Sequence, residues 1–373
     1  MKKTPRTIAV LGAGHGGCAA AADLTARGYV VHLHARREAV LAPLREAGGI
    51  HVRGVQQGHY PIAKMTTDVA DAVAGADLIL LVVPSSAHAY YAQALSAIID
   101  GSVPIILNPG HTGGGLHFLN ELRLAGFKGT VKLGETVSLT YVTRMEGPAT
   151  VNIYSYMRKQ KFGALPGRHG PEIFDLMHQI YPETLLASSV LETALTNMNA
   201  VFHPPGMIMN AGWIQRTDGN FLFYKEGITD AVGRACEAVD RERLAIAQTL
   251  GVPARPFLDN FLAAGLTTVE ARDSGSISRA CEESAPNKTI KSPPSLDHRY
   301  VHEDIGYGLV AFSAFGRLAG VPTPAIDSFI TLASIATGND YAGQGLTLER
   351  MGLAGMDIAE LMHFIETGER TSA

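Results

Sequence analysis

The strongest constraint on this chain lies near its start. A short apolar run, Ile8-Ala9-Val10-Leu11, ends in Gly12-Ala13-Gly14-His15-Gly16-Gly17, and the small residues Cys18 to Ala22 come next. A second apolar run, Tyr29-Val30-Val31-His32-Leu33, comes after Gly28, which reads as a helix stop. Strand, glycine turn, helix and strand make the βαβ unit of a parallel sheet. Gly12, Gly14 and Gly17 complete G-x-G-x-x-G in the context that gives the motif meaning. Gly12 permits the tight turn, Gly14 lets the backbone approach a pyrophosphate at the helix N-terminus, and Gly17 lets the helix pack closely on the strand. Gly12, Gly14, His15, Gly16 and Gly17 are therefore expected around a dinucleotide.

The alternation continues. Asp77 to Val83 is a buried-strand run stopped by Pro84, Ala87 to Ile99 has helical spacing, and Val103 to Leu107 is a strand ending in Asn108-Pro109-Gly110. Thr130-Val131-Lys132-Leu133 begins another. Strands apolar on both faces belong to a sheet covered on both sides. From about Ser188 the pattern turns helical: Val190–Met209, Asp230–Leu250, Phe257–Ala264 and Tyr307–Leu318 carry apolar residues at three- and four-residue spacing. Ser274 to Pro294 reads as a polar loop. The fold class expected is α/β plus all-α: a Rossmann-type doubly wound domain over residues 1–185 and a mainly helical domain over 186–373.

Hydrophobic residues are 46% of the chain and the net charge is only −4, which excludes a disordered chain and argues against a nucleic-acid binder. Cys18, Cys236 and Cys281 are odd in number and widely spaced, which fits a reducing compartment rather than a disulfide framework. The start, Met1-Lys2-Lys3-Thr4-Pro5-Arg6, mimics an export signal, but Gly12, Gly14 and Asp23 interrupt the apolar stretch behind it. No run approaches the roughly 18 apolar residues of a membrane span. A cytoplasmic protein without membrane or metal partners is expected. Met351 to Ile365 reads either as a core helix or as the face of a homodimer.

The end of the second strand is informative. An NAD site usually places Asp or Glu there to bond the ribose hydroxyls. Here the residue 21 positions after Gly14 is Ala35, and Arg36-Arg37 come directly after it. A carboxylate would repel a 2′-phosphate, whereas a guanidinium binds it bidentately. NADP(H) is favoured, with Arg36 the first candidate and Arg37 the second; NAD(H) stays open, since the pair would also suit the start of a surface helix. Pro84 and Ser85, and Asn108 with the glycine-rich loop behind it, sit at strand C-termini, where ligands bind in this architecture.

In the second half, His203 stands before Pro204-Pro205 and reads as the end of a helix stopped by the prolines. That position suits a general acid/base, but on these residues alone a histidine satisfied by nearby carbonyls is the stronger reading. The cluster Asp297-His298-Arg299-Tyr300-Val301-His302-Glu303-Asp304 offers an arginine for a carboxylate and acids to orient a histidine, or simply a solvated helix start.

Together these segments resemble the octopine/nopaline (opine) dehydrogenase family. The matching pieces are Gly12 to Gly17, Asn108-Pro109-Gly110, Gly134-Glu135-Thr136, Asn197-x-Asn199 with His203-Pro204, Phe223-Tyr224-x-Glu226-Gly227, and Arg299-Tyr300 with Glu303-Asp304 and Tyr307-Gly308. The resemblance implies NAD(P)H-dependent reductive condensation of an amino acid with a 2-oxo acid. It implies His203 as acid/base held by Asp304, and Arg299, Tyr300 and His111 toward the substrates, with the two domains closing around them. Two departures stand out: Ala35-Arg36 lacks the acid of NAD-preferring relatives, and His111 stands where some relatives carry Gln. A simpler NADP-dependent 2-oxo acid or 2-hydroxy acid reductase, and an NADP(H)-binding redox sensor without turnover, remain as alternatives.

Overall fold

The computed structural model describes residues 5–371; the basic start Met1 to Thr4 lies outside them. The chain divides into two compact units. One runs to Thr193 and includes the segment from Met362 onward; the other is Ala194–Leu361.

The first unit is built on an eight-stranded sheet. Its strands are β1 (Thr7–Leu11), β2 (Val30–His34), β3 (Lys64–Thr66), β4 (Leu78–Leu81), β5 (Ile105–Leu107), β6 (Leu133–Thr136), β7 (Lys161–Leu165) and β8 (Leu185–Leu186). The order is β3-β2-β1-β4-β5-β6-β7-β8. The first six are parallel, and β7 runs antiparallel to β6. Chain order reverses beside β1, which makes the β1/β4 boundary the topological switch point. Ile8 to Leu11 and Leu78 to Leu81 are all buried, as strands covered on both faces require.

A four-stranded sheet is absent from the sequence pattern. It pairs Gly58–Tyr60, Ile50–Gly54, Thr150–Tyr156 and Tyr141–Gly147 in that order. Helix α1 (His15–Ala26) packs against both sheets, and its residues Gly16 to Leu24 are all buried. This explains the run Ala19 to Ala22: a helix covered on opposite sides has no room for long side chains.

The second unit is helical. Helix α2 (Asn199–Met209) continues through Pro204 and Pro205, so the expectation that these prolines stop it at His203 is wrong. Ala200 to Met207 are buried without a break. Packing on all sides sustains a helix that the two missing donors weaken by about 3 kcal/mol each. Helix α3 (Asp230–Thr249) carries a buried stripe including Val232, Cys236, Val239 and Ile246. It also buries Arg243, whose Nε donates to Asp240 (2.9 Å) and whose Nη2 donates to the Arg255 carbonyl (2.7 Å). The polar loop expected over 274–294 contains a helix, Ile277–Glu282, capped by Ser276. All three cysteines are buried as free thiols.

Candidate active site

In the first unit the candidate residues gather at the C-terminal ends of the parallel strands. Gly12 turns the chain after β1 with φ +111°, and a Cβ there would lie 2.4 Å from the Val82 carbonyl oxygen. At Gly17 a Cβ would lie 1.7 Å from the Gly12 oxygen. At Gly14, the N-cap of α1, a Cβ would meet nothing within 4 Å. Two glycines thus permit the fold, while the third keeps the backbone bare at a helix N-terminus with no acid in its first turn. This is the cradle a pyrophosphate needs. His15 accepts at Nδ1 from the Met145 backbone N–H (2.7 Å), tying the first turn of α1 to the smaller sheet. Gly16 packs against the Leu139 side chain.

After β2, Ala35 is buried and Arg36 and Arg37 are exposed. The next acid, Glu38, lies 3.1 Å from Arg45 Nε, and Asp68 caps a helix through Ala70 N–H. The Arg36 guanidinium lies 5.3 Å from the centre of the Tyr90 ring. Tyr90 packs edge-on against Tyr91, whose hydroxyl lies 3.1 Å from His34 Nδ1. The other ring nitrogen of His34 lies 3.3 Å from the Thr67 carbonyl; an N–H there makes Tyr91 the donor to Nδ1.

After β4, Pro84 leads into a single helical turn, Ser85–Ala87, with Ser85 buried. After β5, Asn108 is fully buried and both ends of its amide group are hydrogen-bonded. Its Nδ2 donates to Thr140 Oγ1 (2.9 Å), and its Oδ1 accepts from Thr140 N–H (3.0 Å) and Thr136 Oγ1 (3.1 Å). Its side chain locks the ends of β5 and β6 together. His111, in the loop after Asn108, is buried and has φ +56°, a left-handed conformation uncommon for a residue with a Cβ. Glu135 of β6 lies beneath this loop. It accepts from Gly115 N–H at 2.7 Å and from the Thr193 hydroxyl. A Cβ at Gly110 would lie 2.4 Å from Glu135 Oε2. Burial pushes the Glu135 carboxyl up to about 7 against those two bonds.

In the second unit, His203 meets Asp304 across 101 residues of chain: Nδ1 and Oδ2 are 2.7 Å apart. Asp304 ends helix α4 (Arg299–Asp304), which His298 caps by accepting from Tyr300 N–H. Glu303 and Asp304 are buried, so this segment is no solvated helix start. His203 Nε2 lies 2.9 Å from the Tyr224 hydroxyl, which lies 3.2 Å from that of Tyr300. The imidazole is stacked between the Phe202 ring (4.4 Å, 16°) and the Tyr300 ring (3.6 Å, 12°). Burial, outweighing the adjacent Asp304, holds its pKa below the ordinary 6.5. Arg299 is largely exposed, with Nε 3.4 Å from Glu303. Two π-helical turns frame the group: Phe223–Gly227 carries Tyr224, and Ile305–Leu309 comes directly after Asp304. Such turns are rare and collect at functional sites.

Sequence reasoning assigns no role to Tyr90, Glu135 or Tyr224. Glu135 carries a signal, a charge within a matching block at the end of a strand run. Tyr90 carries none, and Tyr224 lies in a matching block that gives it no role, because only the tertiary fold brings them to Arg36 and His203.

Comparison with known proteins places the chain in a family and a fold. Residues 186–337 match the α-helical domain of NAD/NADP octopine/nopaline dehydrogenase, and residues 7–122 match the N-terminus of NAD-dependent glycerol-3-phosphate dehydrogenase. An opine dehydrogenase of Arthrobacter sp. (strain 1C) is 34% identical over 97% of this chain and 99% of its own. Vitopine synthase of Allorhizobium ampelinum is 24% identical over 93% and 96%. The structure of an octopine dehydrogenase with NADH and L-arginine superposes with a TM-score of 0.78 at 20% identity, covering 98% of this chain and 99% of that one. A yersinopine dehydrogenase with NADP+ gives 0.73 at 18% identity, over 98% and 99%. No helix among the described residues is long and apolar enough to cross a membrane.

Proposed function

Because the chain belongs to the octopine/nopaline (opine) dehydrogenase family and is an NAD(P)-dependent oxidoreductase acting on CH–NH bonds, we propose that His203, held by Asp304, is the acid/base of its reaction. That reaction joins an amino acid to a 2-oxo acid, or runs in reverse. The observation that carries the proposal is the buried 2.7 Å contact between His203 Nδ1 and Asp304. A carboxylate accepts only, so Nδ1 bears the proton and Nε2 presents its lone pair. That is the state of a base, and Asp304 stabilises the imidazolium formed when Nε2 takes a proton.

The chemistry asks for one such group. An ammonium must lose a proton before its nitrogen attacks the carbonyl carbon. The carbinolamine hydroxyl must then gain one to leave as water, giving an iminium. One imidazole takes the first proton and returns it in the second step. A bound nicotinamide dinucleotide supplies the hydride that reduces the iminium carbon. Gly14, with the first turn of α1, would hold its pyrophosphate. Arg36 and Arg37, with no acid at Ala35, favour NADP(H) over NAD(H). Arg299 and Tyr300 of α4, and His111, are assigned to the substrates, Arg299 as a clamp for a carboxylate.

The experiment follows NADPH absorbance with pyruvate and a panel of L-amino acids, each component omitted in turn. Consumption that requires both the oxo acid and the amino acid is the expected result. Consumption with the oxo acid alone identifies a simple reductase, and binding without oxidation identifies a sensor; either outcome overturns the proposal.

A further inference from the structure

His203 is only 3% exposed, and each side of its ring has a neighbour. Phe202 and Tyr300 lie nearly parallel to it, one on each face, and Asp304 holds Nδ1. A substrate therefore meets the basic atom in the plane of the ring, at the Nε2 edge. The Tyr224 hydroxyl already lies there, 2.9 Å from Nε2. The ring proton is on Nδ1, so Nε2 accepts and Tyr224 donates. Tyr224 has then given its only hydrogen, so its oxygen accepts from Tyr300 across 3.2 Å. The Tyr224 ring itself is not placed to leave. It is buried, tilted at 39° to Phe202 with centres 5.4 Å apart, and edge-on to Phe223 at 5.1 Å. What can turn is its O–H bond.

Nε2 has one lone pair, directed in the ring plane. When a substrate N–H takes it, the Tyr224 hydrogen is released, while the Tyr224 oxygen stays beside the nitrogen now bound to Nε2. Resting on the reading of His203 as the acid/base in direct contact with the substrate nitrogen, we propose that Tyr224 is a second catalytic residue: its hydroxyl turns from Nε2 to the carbonyl oxygen of the 2-oxo acid and stabilises the negative charge that collects there. The attacking nitrogen and that oxygen become joined through one carbon, so a donor beside the first reaches the second. As the N–C bond forms, the C=O electron pair moves onto oxygen. Tyr224 donates to that oxygen and keeps its proton, and Tyr300, donating to Tyr224, strengthens the bond. The proton that Nε2 took from the ammonium then joins the oxygen. A second N–H proton follows through the same imidazole, the C–O bond breaks, and water leaves an iminium. Burial raises the Tyr224 pKa well above its ordinary value, so the hydroxyl stays a donor.

The test compares Tyr224→Phe and His203→Gln with the wild type, using NADPH, pyruvate and the most active amino acid of the panel. Phenylalanine keeps the ring and removes the donor. The expected result is that kcat and the kcat/KM for pyruvate fall together by about tenfold or more, as the loss of an oxyanion donor requires. The KM for the amino acid should not rise, and NADPH affinity should stay within about twofold of wild type. A donor to Nε2 favours the neutral ring, so its loss should also move the acid limb of kcat/KM to higher pH. Asp304 and Glu303 favour the charged ring and Arg299 opposes it, and all three remain in the variant. Replacing Tyr224 with 3-fluorotyrosine keeps the shape and the hydroxyl and makes it a stronger donor. That enzyme should keep kcat within about threefold of wild type and move the acid limb to lower pH. A folded Tyr224→Phe enzyme less than about tenfold slower than wild type overturns the proposal. A fluorinated enzyme whose acid limb does not move overturns it as well, and this comparison decides the matter where the phenylalanine variant does not fold. If His203→Gln is inactive while Tyr224→Phe turns over normally, Tyr224 alone loses its role. If His203→Gln retains wild-type turnover, the acid/base assignment falls, and the role of Tyr224 with it.

Discussion

The Arg36 guanidinium lies over the face of Tyr90, 5.3 Å from the ring centre. Tyr90 is in turn braced by Tyr91, which is fixed by the buried His34 at the end of β2. The strand that delivers Arg36 thus also anchors the ring beneath it. Arg36→Ala should raise the KM for NADPH by about tenfold while changing that for NADH far less, since only the former carries the phosphate a guanidinium grips. Tyr90→Ala should weaken NADPH selectively by about two- to fivefold, the worth of an exposed cation–π contact. Tyr90→Phe should retain it. Equal losses for both dinucleotides would remove Arg36 from the role of phosphate reader.

The glycine loop separates fold from binding. A Cβ at Gly17 collides with the Gly12 oxygen at 1.7 Å, and neither backbone can yield without moving α1 off β1. Gly17→Ala should cost at least about 3 kcal/mol of stability, as overpacking against rigid backbone does. Gly14 has φ −81° and no neighbour within 4 Å of a Cβ, so Gly14→Ala should melt within a few degrees of the wild type. Its dinucleotide affinity should nevertheless fall about tenfold or more, because the methyl group stands where the backbone meets pyrophosphate. Thermal denaturation and dinucleotide fluorescence titration check the pair. A Gly14→Ala protein that binds normally would contradict the cradle.

The strand–glycine–helix unit is readable in the sequence because its main rules are local: Gly12 turns the chain at φ +111°, and Gly17 answers to the Gly12 oxygen five residues back. The smaller sheet is not, since Ile50–Gly54 pairs with Thr150–Tyr156 a hundred positions away, and the apolar residues Val142, Tyr154 and Tyr156 on its exposed side blur the alternation. Pro204 and Pro205 mislead for the converse reason. Their local preference breaks a helix, and only burial of residues 200–207 overrides it. The pairing of His203 with Asp304 is legible through family resemblance, whereas spacing alone favours a satisfied core histidine. Tyr224 falls within a matching block and gains no role from it, because what it does depends on a contact with Nε2 that no periodicity encodes.

The dyad itself makes a kinetic prediction. His203→Ala should lower kcat by about 10²-fold or more with dinucleotide affinity nearly intact. Asp304→Asn should also lower kcat, because an amide can donate to Nδ1 and so favour the tautomer that puts the proton on Nε2. Burial lowers the His203 pKa, so the group is neutral at and above pH 6.5 and becomes charged only below it. In the condensing direction the acid limb of the kcat/KM profile assigned to this group should therefore fall below pH 6.5. A limb above that value, removed by His203→Ala, would contradict the burial argument.

Glu135 makes the protein's stability depend on pH in an unusual direction. Buried under the glycine-rich loop, its carboxyl titrates at about 7, against 4.5 when unperturbed. A pKa raised in the folded state means that the folded chain holds the proton more tightly than the unfolded chain. The stability contributed is fully present below pH 4.5 and is lost as pH rises toward 7 and the unfolded state alone ionises. At about 1.4 kcal/mol per unit of displacement, the loss is on the order of 3 kcal/mol. Glu135→Gln cannot ionise, and its amide oxygen can still accept from Gly115 N–H. Denaturant melts at intervals from about pH 5 to 8 should show the wild type losing stability relative to Glu135→Gln across this window and running parallel to it above. A constant difference between the two proteins over the whole range would mean that the carboxyl is ionised in the fold throughout.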